Sequence, residues 1–134
     1  MKKLTKKEAI NIIKEYIRRE LMNKVWYKKI KPYVKAIVFY GSTAKELNRP
    51  DSDIDLLIFI PLVIELQYTK GEYSSMFKKR EINIVLRSIE RLRKLAKEQD
   101  SAFQAGVFKN AEIIFESDTE VRTLIEKIKA VKIK

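Results

Sequence analysis

Apolar and polar positions recur along this chain with two different periods, and each period marks a kind of element. Ile10, Ile13, Ile17 and Leu21 return every three to four residues. They follow Thr5-Lys6-Lys7-Glu8, a capping box in which a hydroxyl and a carboxylate satisfy free backbone donors reciprocally. This spacing predicts an amphipathic helix over 6–23. A second short helical stretch is expected over Val25–Val34, weakened by Pro32. Ala36-Ile37-Val38-Phe39-Tyr40 is a continuous apolar run stopped by Gly41, and Ile54–Ile60 is another stopped by Pro61. Such runs fit strands covered on both faces. Between them, 43–47 suggests a brief helix and Asn48-Arg49-Pro50-Asp51 a turn.

In the second half, Ile64–Thr69 and Glu72–Phe77 read as strand material around Lys70-Gly71. Lys78-Lys79-Arg80 reads as a charged turn and Ile82–Leu86 as a strand, so 64–86 is expected to be a meander or hairpin. Ser88 caps a helix whose apolar face holds Ile89, Leu92, Leu95, Ala96 and Phe103. Ala111–Glu116 is a short edge strand, and Ser117-Asp118-Thr119-Glu120 is a second capping box. It leads the stripe Val121, Leu124, Ile125, Ile128, Val131 of a last helix. Interleaved strands and helices predict an α/β (α+β) fold, a mixed β-sheet with helices packed against it, in a single domain over 1–134.

Composition narrows the chemistry. Hydrophobic residues make up 46%, enough for a real core. The sequence has no Cys and no His, which excludes disulfides, the common zinc sites and a histidine base or triad. Chemistry must then run on carboxylates, Lys or Arg, hydroxyls and an ion held by oxygen. The net charge is +11, and residues 1–35 alone carry +9, a block that favours a polyanionic partner such as nucleic acid, a nucleotide or an acidic protein. A solvated helix face is the plainer account of the same block. No apolar run reaches membrane-spanning length and the N-terminus lacks the form of a signal peptide, so a cytoplasmic protein with no membrane partner is expected.

The most informative stretch is Gly41-Ser42, ten residues, then Asp53-Ile54-Asp55. Alternation along a strand sends Asp53 and Asp55 to one face, with Ile54 pointing into the core. Same-face neighbours lie about 6.5–7 Å apart, close enough to share one or two ions. Hard carboxylate oxygens suit Mg²⁺ or Mn²⁺, which take further ligands from phosphates. At Gly41 a missing side chain lets the backbone approach a ligand, and Ser42 offers a hydroxyl and a helix start. An NTP whose triphosphate is bridged by Mg²⁺ suits both parts together. Either part alone is only a turn or a polar start to a strand. Trp26, Tyr27, Tyr33, Tyr73 and Phe77 read as core or interface rather than a stacking platform. Lys78, Lys79, Arg80 and Arg87 are candidates for phosphate contact.

These residues resemble the nucleotidyltransferase superfamily that includes DNA polymerase beta. More specifically, they are similar to its minimal nucleotidyltransferase domains, whose common form reads Gly-Ser-x-Ala-Arg-Gly and then Ser-Asp-x-Asp-Leu. This chain has Gly41-Ser42-Thr43-Ala44-Lys45-Glu46 and Ser52-Asp53-Ile54-Asp55-Leu56. The resemblance implies a nucleotidyltransferase fold, two divalent ions on Asp53 and Asp55, and an NTP held at Gly41, Ser42 and Lys45. It also implies transfer of a nucleoside monophosphate to a hydroxyl, with pyrophosphate leaving. The family's third carboxylate stands on a later strand and helps to deprotonate the hydroxyl. Here the aligned position holds Asn83, and Glu81 on the same face is the substitute.

An amide cannot act as that base. The resemblance further implies ATP as donor and a partner protein as acceptor, in the manner of antitoxins that silence a HEPN-type helical toxin by adding AMP to a tyrosine. The alternative is a catalytically weak nucleotide- or RNA-binding interaction module, and a homo-oligomer is left open.

Overall fold

A computed structural model describes residues 4–44, 53–68, 70–98 and 106–130, without the side chains of Ser42 and Thr43. The Thr5 hydroxyl accepts from the Glu8 amide at 3.1 Å and the Glu8 carboxylate accepts from the Thr5 amide at 3.2 Å. This capping box opens α1 (Lys6–Arg19), which ends earlier than its apolar stripe and passes into a 3₁₀ turn at Leu21–Asn23. Next comes α2 (Val25–Ile30), with Pro32 relegated to a second 3₁₀ turn at Lys31–Tyr33 because its ring cannot sit inside an α-helix.

The strands are β1 (Ala36–Tyr40), β2 (Ile54–Ile60), β3 (Glu72–Phe77), β4 (Arg80–Ser88) and β5 (Glu112–Glu116). They form one mixed sheet in the order β3-β4-β2-β1-β5. Only β2 and β4 run parallel, while β1 is antiparallel to both its neighbours and β3 to β4. One helical turn, α3 (Gly41–Ala44), follows β1, so the described part of the expected 43–47 helix begins two residues earlier. Arg80 belongs to β4 and is buried, leaving a two-residue turn at Lys78-Lys79.

One expectation fails outright. Leu62–Tyr68 is a helix, α4, not a strand. The chain leaves β2 and must return parallel to it in β4, and a parallel neighbour requires a crossover out of the sheet. The Ile64 and Glu65 amides bond the Pro61 carbonyl, and the Leu62 amide donates to Glu90 at 2.9 Å. Of the expected meander or hairpin, the β3–β4 hairpin forms and the segment before it is a helix.

Later, Ser88 caps α5 (Ile89–Lys97) by accepting from the Arg91 amide at 3.1 Å. Lys45, Phe103 and Val131 lie outside the described residues. The second capping box does not form. Asp118, not Ser117, accepts from the Glu120 amide at 2.9 Å, and α6 (Glu120–Lys129) starts there with no side-chain bond from Thr119.

Two apolar layers hold the sheet. On one face Ile37, Phe39, Leu56, Ile58, Ile82 and Ile84 pack against Ile13 and Tyr16 of α1, Tyr27 and Ile30 of α2, and Ile64 of α4. On the other, Ala36, Val38, Leu57 and Phe59 pack against Ile89 and Leu92 of α5 and Val121, Ile125 and Ile128 of α6. The alternating burial along β4 leaves Glu81, Asn83, Val85 and Arg87 half-buried on this second face.

Candidate active site

The end of β1 and the start of β2 lie side by side, with Tyr40 paired to Asp55. Gly41 turns the chain out of β1 at φ +87°, a backbone conformation that side-chain-bearing residues rarely adopt. A Cβ placed on Gly41 would stand 2.5 Å from Oδ2 of Asp55. The glycine bend and the second aspartate therefore occupy the same opening, and only a residue without a side chain permits it. Asp53 directly precedes β2 and is half-buried.

The parallel register sets Asp55 opposite Asn83, so both lie on the second face. Nδ2 of Asn83 donates to Oδ2 of Asp53 at 3.0 Å. Glu81 lies one pair further along the same face, accepting from the Ser74 hydroxyl at 2.5 Å. Burial pushes the Asp55 carboxyl above the ordinary carboxylate range. A hydrogen bond from Asn83 opposes that rise, and the charges of Asp53 and Glu81 add to it. Carboxylates crowded in this way are relieved by a cation. Among the described residues no group of three or more candidate ligands converges. Asp53 and Asp55 thus suit an ion that completes its shell with water and phosphate oxygens, as Mg²⁺ and Mn²⁺ do.

Other candidates are placed elsewhere. Lys78 pairs with Glu15 on α1. Trp26 stacks on Tyr73 at 3.9 Å, and both pack against the first apolar layer, away from the acids. The backbone of Ser42 lies in α3, and Lys45 is not described. Three features escaped the sequence: the Asn83–Asp53 bond, the Ser74 hold on Glu81, and Tyr40 beside Asp55. Burial raises the Tyr40 phenol above its usual range, and the Asp55 charge raises it further. The first and third depend on strand pairing across fifteen to thirty residues, and the second on the exact register of the β3–β4 hairpin, so motif spacing shows none of them.

A mixed sheet with a glycine bend closing on a carboxylate pair defines the class: this is a nucleotidyltransferase fold. The chain belongs to the family described as Polymerase beta, Nucleotidyltransferase, whose sequence profile matches residues 22–120. A solved structure of a nucleotidyltransferase-like protein from Exiguobacterium sibiricum 255-15 superposes at TM-score 0.56 with 11% identity. The match covers 84% of this chain and 39% of that one, so this chain spans well under half of its structural relative. No curated protein matches the sequence.

Proposed function

We propose that this protein transfers a nucleoside monophosphate, AMP from ATP, to a hydroxyl on a partner protein in a Mg²⁺-dependent reaction. The observation that carries the reading is the contact of the Gly41 bend with the Asp55 carboxylate, with Asp53 alongside. Gly41 and Ser42 hold the β- and γ-phosphates by backbone donors, and Lys45 adds positive charge. Asp53 and Asp55 hold the divalent ion, which supplies charge neutralisation on the triphosphate. The acceptor oxygen bonds to the α-phosphorus, the bond to the β-phosphate oxygen breaks, and pyrophosphate departs. Glu81, fixed by Ser74, receives the hydroxyl proton.

A protein acceptor draws support from the surface. Val25 of α2 and Leu62, Val63 and Leu66 of α4 are exposed apolar side chains on two helices that pack against each other, the sort of surface partners cover. The +9 charge of residues 1–35 suits an acidic partner such as a HEPN-type helical toxin. Asn83 opposite Asp55 favours a second reading, a catalytically weak nucleotide- or RNA-binding module.

Incubation with α-labelled ATP, Mg²⁺ and host extract separates the two. Label should appear on a protein, and Asp53→Asn or Asp55→Asn should reduce it at least about a hundredfold while the fold is kept. Transfer undiminished in both variants removes these residues from the site. Salt-sensitive RNA binding without transfer supports the second reading.

A further inference from the structure

The sheet face that bears the acids continues into a cavity of about 260 Å³, enclosed between the strands, α5 and the turn at 106–110. This is near the lower end of ligand pockets, ~300 Å³. Leu57, Phe59 and Val85 line its floor, and Tyr40, Arg87 and Arg91 its polar part. The register fixes its relation to the acids. The Tyr40–Asp55–Asn83 row is followed by Val38–Leu57–Val85 and then by Ala36–Phe59–Arg87. Two residues along a strand advance about 6.5–7 Å, so the floor begins one such step from Asp55.

The chemistry of transfer assigns directions on this face. In-line displacement puts attacking and leaving oxygens on opposite sides of the α-phosphorus. The leaving pyrophosphate belongs at Gly41, at the β1 end of the row. The acceptor then approaches from β4 and β3, where Ser74, Asn83 and Glu72 border an open groove. This axis crosses the strands. The remaining substituent of the α-phosphorus, the 5′ oxygen and its nucleoside, must leave the axis, and the cavity opens in that direction along the strands.

The lining matches such a guest. Its floor is apolar, and among the described residues no acidic side chain lines it. Arg93 and Arg122 are held by Glu120 and Glu116, whereas Arg87 and Arg91 form no ion pair among the described residues. Planar guanidinium groups stack on bases and donate to their polar edges.

We propose that this cavity holds the nucleoside of the donor nucleotide, its base on Leu57, Phe59 and Val85 and its polar edge at Arg87 and Arg91. The assignment rests on the transferase reading above, and the test separates the two. Calorimetry with Mg²⁺ compares a non-hydrolysable ATP analogue with inorganic tripolyphosphate on the whole protein. Wild type should bind the analogue about tenfold or more tightly than tripolyphosphate. Leu95→Trp, which fills the cavity from α5, and Arg91→Ala should each erase that advantage and leave tripolyphosphate binding within about twofold. Analogue binding unchanged in both variants overturns the cavity assignment and leaves the transferase reading intact. Equal loss of both probes in both variants also overturns it, as does equal affinity of wild type for the two probes. Failure of wild type to bind either probe overturns the transferase reading and this inference with it.

Discussion

Gly41 and Asn83 decide what the acids can do. Gly41→Ala combines a left-handed backbone, costing about 1–2 kcal/mol for a residue with a side chain, with a methyl 2.5 Å from Asp55. The variant should lose at least about 2 kcal/mol in denaturant melts and lose Mg²⁺-nucleotide binding in calorimetry. An alanine protein that melts and binds as wild type means the bend does not frame the site. Asn83→Asp places a third carboxylate against Asp53 in place of an amide donor. It should lower the melting temperature in chelator, regain it with Mg²⁺, and raise transfer about tenfold or more. A rate that stays flat with no Mg²⁺ rescue means Asn83 faces no ion. Gly41, Asp53 and Asp55 were legible as a group because motif spacing is local. The bond from Asn83 to Asp53 spans thirty residues and depends on which strand lies next to β2.

At the scale of elements, most strands and helices follow their periodicity, and α4 shows where periodicity misleads. Ile64, Leu66 and Tyr68 alternate as in a strand, yet only Ile64 of α4 is buried. The segment is helical because it carries the crossover between two parallel strands, a demand of topology that no alternation records. The β3–β4 hairpin presents the opposite case. Its turn puts Lys78 at φ 52° and Lys79 at φ 65°, where glycine or asparagine is usual. Lys79→Gly should relieve the second position and stabilise the protein by about 1 kcal/mol, while the Lys78–Glu15 pair stays in place. A chemical melt measures it, and a destabilised variant would show that the lysine makes contacts worth more than the strain. The failed second capping box belongs here too. Ser117 donates to the Lys35 carbonyl, and Asp118 serves both the Glu120 amide and Lys35, so tertiary partners outcompete the local motif.

Across the whole molecule, Lys35 ties β1 to the start of α6. Its ammonium meets Asp118 at 2.7 Å and Glu120 at 3.6 Å, and the backbone around it bonds Phe59 and Ser117. Lys35 holds the Asp118 carboxyl below its ordinary range, as Arg93 chiefly does for Glu120. Carboxyls depressed in the folded state stabilise it fully above their unfolded values of about 4, and that stability is lost as pH falls through the folded values. Wild type should therefore melt above Lys35→Met at pH 7, and the two curves should converge as the pH falls below the unfolded carboxyl values and through the depressed folded ones. A constant gap across that range excludes these ionisations as its source.

Among the described residues no helix is long and apolar enough to cross a membrane. By itself the sequence determined the elements with strong periods and the apolar faces that make two core layers. Those follow from short-range sterics and from burial of one face. Tertiary structure alone decided that β4 lies parallel beside β2, which side chain stands opposite Asp55, and that a cavity opens one row away. Strand neighbours are chosen by packing over long separations, and moving that register by one residue would send Asn83 and Glu81 to the other face.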